Sequence, residues 1–263
     1  NEQLATLTGR TLSDMIGTSI LDLVDEAGRQ ILLSDPSPAA DISRQFAIVQ
    51  PDGAIIPIEA RGRNIDYRGR KIRISCLVDL RERKAHEERI RHLGQHDPLT
   101  GLPNRALFTE TLASYVDRAN RGWGCAVVLV DLDHFKDVND LYGHPAGDEV
   151  IRETARRLTR ELGPQDMAAR LGGDEFALIA EGPGGLDRLK RCMDQIRRDL
   201  RELGRSRELP TATISVGLCS DEGGSMTAAD LFSETDRALY AAKKAGRNCV
   251  RTAPALSATS RSA

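Results

Sequence analysis

The chain has 263 residues, enough for two domains of ordinary size, and 40% of them are hydrophobic and 29% charged, as in soluble globular proteins. Its net charge of −2 lacks the basic excess of a general nucleic-acid binder, so no nucleic-acid partner is expected. The longest purely apolar run, Cys125 to Val130, is too short to span a bilayer. The chain opens on Asn1 rather than Met, which leaves room for an upstream segment, a membrane anchor included. No membrane association is visible in the segment itself, and the expected location is the cytoplasm.

The early part, Leu12 to Gly28, reads as short helices. Three strand-like runs follow, Gln45 to Gln50, Ala54 to Arg61 and Lys71 to Leu80, with turn signals at Asp52-Gly53 and Arg68-Gly69. In the last run Ile72, Ile74, Cys76 and Val78 alternate with Arg73, Ser75 and Leu77, which predicts a half-buried strand with the first set inward. Arg81 to Gln95 is dense in Arg, Glu, Lys and His and contains no Pro, which favours a solvated helix. His86, Ile90 and Leu93 fit the spacing of a short parallel coiled coil as well as that of a plain exposed linker.

From Asp97 onward strands and helices alternate, which predicts one sheet packed with helices. A helix follows Leu102-Pro103-Asn104. Cys125 to Val130 is a buried strand, and Leu141 to Leu162 is mainly helix. Ala168 to Leu171 and Glu175 to Ala180 are strands joined by Gly172-Gly173. Leu186 to Leu203 is helix, Thr211 to Cys219 strand and Ala228 to Ala245 a last helix. The segment 252–263, mostly Ala, Ser and Thr, reads as a disordered tail. None of the five cysteines, Cys76, Cys125, Cys192, Cys219 and Cys249, forms a C-x-x-C pair or has His at zinc spacing, so they read as small buried hydrophobes in a reducing compartment.

Two segments carry the chemistry. In Val130 to Lys136, Asp131 and Asp133 lie two apart on one face at the end of a buried strand, a place where ligands of α/β sheets tend to bind. Taken alone, a D-x-D of this kind is a weak sign of metal. The second segment is Gly172-Gly173-Asp174-Glu175-Phe176, where two glycines permit a tight hairpin and close approach of backbone to a ligand. Asp131, Asp174 and Glu175 together offer the oxygen ligands that Mg2+ requires when it bridges phosphates.

Gly172 to Phe176 spells GGDEF, and the chain resembles the GGDEF family of diguanylate cyclases. Further blocks match in order: His96 to Arg105, Asp131 to Asp148, and Ala238 to Asn248. The resemblance implies an α+β domain over 96–251 with a central sheet like the palm of nucleotide cyclases, surrounded by helices. It implies an enzyme that condenses two GTP into cyclic di-GMP and pyrophosphate, works as a homodimer, and uses two Mg2+ or Mn2+ ions per site. Asp131, the backbone carbonyl of Leu132 and Asp174 match metal-binding positions. Glu175 matches the catalytically required acid, which helps bind metal or deprotonates the attacking hydroxyl. Lys136, Lys243 and Arg247 match phosphate contacts, Phe135 and His144 border the nucleotide, and Asn139 and Asp148 match the guanine-reading pair. A carboxylate accepts from guanine N1–H and N2–H2, donors that adenine lacks on that edge.

The family's product-inhibition site, R-x-x-D, is degenerate here: Gly163 stands in place of the Arg, although Asp166 is present. Arg156, Arg157 and Arg160 are the nearby substitutes. Residues 1–80 resemble the C-terminal part of a PAS sensory domain whose first strands are absent. Leu7 to Arg10 and Ile16-Gly17 fit its early helices, Pro51-Asp52-Gly53 its hairpin, and Asp79 to Lys84 its exit into a signalling helix, 81–95. The competing reading is a non-catalytic GTP-binding or interaction module, against which the intact Asp174-Glu175 pair stands.

Overall fold

A computed structural model describes residues 1–34, 43–182, 184–206, 212–221 and 226–254. It divides into two units, Asn1–Arg91 and His92–Ala263. No helix among the described residues is long and apolar enough to cross a membrane.

The N-terminal unit begins with α1 (Glu2–Thr8), capped by the Asn1 side chain and ended by Gly9 in the left-handed conformation (φ 65°). Then come α2 (Leu12–Met15), one 3-10 turn and α3 (Glu26–Ser34). A three-stranded antiparallel meander follows, β1 (Ser43–Val49), β2 (Ile55–Tyr67) and β3 (Arg70–Asp79). Val24, Phe46, Ile48, Ile56 and Ile58 form its core, with Leu7, Ile31, Leu32, Ala60 and Leu77 against it. The expected facing of β3 is reversed. Leu77 packs inward, whereas Ile72, Ile74 and Val78 are 39%, 54% and 51% exposed and Cys76 is exposed too. The core lies on the side of the sheet where α1 and α3 pack, and alternation alone does not say which face that is. The helix α4 (Arg81–Gln95) has no buried residue.

The C-terminal unit is a mixed α+β domain. Its helix α5 (Arg105–Arg118) starts where the Asn104 side chain accepts from the Ala106 and Leu107 N–H groups. The strand β4 (Cys125–Asp133) is buried along its whole length and runs longer than its apolar core. The helix expected from Leu141 starts earlier and is split in two. Gly143, at φ 83°, separates α6 (Phe135–Tyr142) from α7 (His144–Arg160), and Pro145 sits in the first turn of α7, where its missing N–H costs nothing. The remaining elements are β5 (Met167–Gly172), β6 (Glu175–Glu181), α8 (Gly185–Ser206), β7 (Thr213–Asp221), α9 (Ala228–Lys244) and β8 (Val250–Thr252). The sheet order is β5-β6-β4-β7-β8. All pairs are antiparallel except β7 with β8.

Two apolar clusters cover the two faces of this sheet. Alternate residues of β4 divide between them, Val128 and Val130 into one and Val127 and Leu129 into the other. Cys125, Cys192 and Cys219 are buried, with burial pushing their thiols up to about 12, 12 and 11. Thr252, expected in the tail, belongs instead to β8, and the Ala253 N–H donates to Leu218 O (2.7 Å). Residues 255–263 lie outside the described residues.

α9 crosses β7 at Gly217. A Cβ there would sit 2.3 Å from Leu239 N and 2.4 Å from Thr235 O, both backbone atoms of α9. Backbone cannot turn aside as a side-chain tip can, so the helix would have to lift off the sheet. Gly217→Ala is expected to cost about 1–3 kcal/mol, as overpacking of a close-packed core does. Thermal melting checks this: the unfolding midpoint should fall by several degrees, and an unchanged midpoint would contradict the packing described.

Candidate active site

The sheet brings β4 and the β5–β6 hairpin together at one end. Asp131 is in register with Glu175, and the Leu132 N–H donates to the Asp174 carbonyl (3.2 Å). The hairpin depends on its glycines, with φ of 144° at Gly172 and 53° at Gly173. The rule that ligands collect at strand ends was framed for parallel sheets. Here the acidic pair arises instead because the end of one strand lies beside the start of its antiparallel neighbour.

The hairpin is fastened from behind. The Arg170 guanidinium donates through Nε and Nη2 to the Gly173 carbonyl (3.1 and 2.7 Å) and through Nη1 to both Asp97 oxygens (3.0 Å each). Asp97 also accepts from the Thr100 N–H and hydroxyl. Burial raises the Asp97 carboxyl, but the bonds from Thr100 and Arg170 outweigh it and hold the group below its ordinary value. Arg105 donates to Leu171 O (3.2 Å) and to the Glu175 carboxylate (3.1 Å). Asp97 and Arg105 belong to the block His96 to Arg105, but nothing in its spelling shows that they hold the hairpin.

Asp131 is buried, and Lys243 Nζ donates to its Oδ2 at 2.6 Å. Burial pushes the Asp131 carboxyl up. Lys243 opposes that, the nearby charges of Asp174 and Asp133 add to it, and the net shift is upward. Among the described residues no three carboxylate, imidazole or thiol groups converge as a ready ligand set, since Lys243 holds Asp131 and Arg105 holds Glu175. The donors still fit a hard divalent cation in kind. Asp131, Asp174 and Glu175 offer only oxygen, and a cation would offset the negative charge crowded around buried Asp131.

Asp133, the other half of the D-x-D, does not face this cluster as a free ligand. It accepts from Thr213 Oγ1 (2.8 Å), Ser215 Oγ (2.6 Å) and the Asn248 N–H (3.0 Å).

β4 leaves the sheet through His134, whose left-handed backbone (φ 57°) turns the chain directly into α6. Phe135 and Asn139 on α6 then meet α7 at Gly147. A Cβ on Gly147 would lie 2.0 Å from Asn139 Oδ1 and 3.1 Å from Phe135 Cζ. These two side chains therefore rest on the backbone just before Asp148, whose side chain is half-exposed and lies 4.0 Å from Arg152. Lys136, His144 and Arg247 are exposed.

Asp166 is taken up internally. Its carboxylate accepts from the Gly163 N–H (2.9 Å) and from Arg188 Nε and Nη2 (3.2 and 2.7 Å), and its side chain is 1% exposed. The partner is thus Arg188 on α8. Of the expected substitutes, Arg156 pairs with Glu149 and Glu153, and Arg157 with Glu153 and Asp199.

Paired acidic strand ends with a lysine over them stand on a mixed, mainly antiparallel sheet flanked by helices, in an α+β domain. Residues 94–249, more than half of the chain, match the family described as diguanylate cyclase, GGDEF domain, and the chain belongs to that family. It is 36% identical over 253 residues to an uncharacterized signaling protein of Caulobacter vibrioides, a match covering 90% of this chain and 31% of that one. It is 34% identical over 241 residues to the diguanylate cyclase DgcM of Escherichia coli K12, covering 91% of this chain and 56% of DgcM. The chain thus spans about a third and about half of these relatives' lengths. The crystal structure of the coiled coil and GGDEF domain of DgcB from Caulobacter crescentus, in complex with c-di-GMP, superposes with a TM-score of 0.61 at 32% identity. It covers 66% of this chain and 93% of that one.

Proposed function

We propose that this protein is a diguanylate cyclase that condenses two GTP into cyclic di-GMP and two pyrophosphates. The observation that carries the reading is the register of Asp131 with Glu175, which sets the GGDEF hairpin beside a buried carboxylate already paired to Lys243. Asp131, Asp174, Glu175 and the Leu132 carbonyl would hold two Mg2+ or Mn2+ ions, which supply charge neutralisation at the triphosphate. Lys243 leaves Asp131 for phosphate when the nucleotide enters, and Lys136 and Arg247 add positive charge. Asp148 and Asn139 receive the guanine edge, with Phe135 and His144 bordering the base. Glu175 accepts the proton of the attacking 3′-hydroxyl. That oxygen bonds to the α-phosphorus of the second GTP, the α–β bridging bond breaks, and pyrophosphate departs. A second, identical step closes the ring.

One site holds one GTP, so two copies of the domain must face each other. A homodimer supplies this, and its geometry sets the rate. The rate per protein should therefore rise with protein concentration through the dimerisation range, with one pyrophosphate released per GTP consumed. Release of inorganic phosphate, or a rate per protein independent of concentration down to fully monomeric samples, would contradict the two-copy reaction.

The N-terminal unit fits part of a PAS-type sensor, with α4 as its exit. If α4 passes on a change of orientation, seven residues inserted after Glu87 keep the heptad phase, while four rotate the cyclase domain relative to the helix. The expected outcome is near-native activity for the first and altered activity for the second. Equal rates for both insertions and wild type would show a mere tether.

Asp166 is engaged by Arg188, and Gly163 offers no side chain, so product inhibition through this site should be absent or much weakened. Initial rates against added cyclic di-GMP check this. Micromolar inhibition removed by Asp166→Ala would overturn it, whereas inhibition that competes with GTP and survives that change reflects product in the active site.

A further inference from the structure

The geometry points to Asp133 as a positioning residue that sets the phosphate grip by holding the turn that carries Arg247. This rests on the reading of Arg247 as a phosphate contact. Asp133 is buried, two residues beyond Asp131 on the same face of β4. Its carboxylate accepts three hydrogen bonds from neutral donors, the hydroxyls of Thr213 and Ser215 on the neighbouring strand and the main-chain N–H of Asn248. The last of these links sheet to turn.

That turn needs holding. Gly246, Arg247 and Asn248 all have positive φ, 103°, 63° and 44°. A left-handed glycine is easily accommodated, but two successive non-glycine residues there are unfavourable and persist only where the surroundings fix them. The fixing contacts lie on both sides of Arg247. Its own N–H donates to Ala242 O (3.2 Å), closing the end of α9. Asn248 N–H is caught by Asp133, Arg197 Nη1 donates to Asn248 O (3.3 Å), and Cys249 O receives the Val216 N–H (3.0 Å), which starts the pairing of β8. The two aspartates thus divide the work. Asp131 meets Lys243 directly, while Asp133 determines where the residue four further on can point.

The test compares steady-state GTP turnover of the full chain with that of Asp133→Ala, Asp133→Asn and Arg247→Ala. Loss of the turn contact should raise KM for GTP about tenfold in Asp133→Ala, the size of one buried N–H left without its acceptor, with kcat within about threefold. Asp133→Asn keeps an oxygen for the Asn248 N–H and should restore KM to within about twofold of wild type. The double variant Asp133→Ala with Arg247→Ala should be no worse than Arg247→Ala alone. Thr213→Val with Ser215→Ala removes the other two donors and leaves the turn bond, so it should lower the melting temperature without raising KM. If Asp133→Ala does not fold, Asp133→Ser, whose oxygen falls short of Asn248, takes its place. A raised KM in Arg247→Ala with an unchanged KM in Asp133→Ala overturns the inference and leaves the phosphate role of Arg247 standing. Asp133→Asn as impaired as Asp133→Ala also overturns it, because charge rather than the acceptor would then matter. An unchanged KM in Arg247→Ala overturns the phosphate role and this inference with it.

Discussion

Replacing Glu175 by Gln is expected to lower GTP turnover by about 10²-fold or more, the usual cost of removing one electrostatic group from a reacting centre, while the melting temperature stays near that of the wild type. Glu175 opens β6 at the tip of the hairpin, with its side chain about half-exposed and in contact with Arg105. Gln has the same length, and its amide oxygen can still accept from Arg105. The register with Asp131 is made by backbone and is unaffected. What Gln cannot do is accept the proton of the attacking hydroxyl or offer a carboxylate to a cation. Initial rates of pyrophosphate release, measured beside a thermal melt, separate the two effects. Near wild-type turnover would remove Glu175 from the chemistry.

The second large effect is expected at the base. If Asp148 reads the base as proposed, Asp148→Ser should narrow the preference for GTP over ATP by about 10²-fold, because two donors of the guanine edge would lose a charged acceptor. The structure gives Asp148 room for this task. Its carboxylate lies only loosely against Arg152, at 4.0 Å, and the packing of Asn139 and Phe135 on Gly147 brings α6 to the same spot. Competition between the two nucleotides for turnover is the check. An unchanged preference would mean that guanine is read elsewhere.

Much of the site is legible in the sequence because its parts are local. A GG-turn followed by two carboxylates specifies its own hairpin, and an apolar run ending in Asp places that carboxylate at a strand end. Long-range partners leave no such mark. Arg170 with Asp97, Arg105 with Glu175 and Asp166 with Arg188 join residues that no periodicity pairs. Asp133 resembles half of a metal motif because spacing puts it on the face of Asp131. Only the register with Thr213 and Ser215 and the approach of Asn248 show that both of its oxygens are already engaged. In the N-terminal unit the alternation along β3 predicts a strand correctly but names the wrong face, since the helices that pack on the sheet decide which side is the core.

The most direct test of the account is to incubate the protein with GTP and Mg2+ and identify the nucleotide product by mass spectrometry. The predicted product is the cyclic dinucleotide of two guanylates, with no terminal phosphate and with two pyrophosphates released. Unchanged GTP at protein concentrations that support dimers, or a product that is not a guanylate dinucleotide, would contradict it.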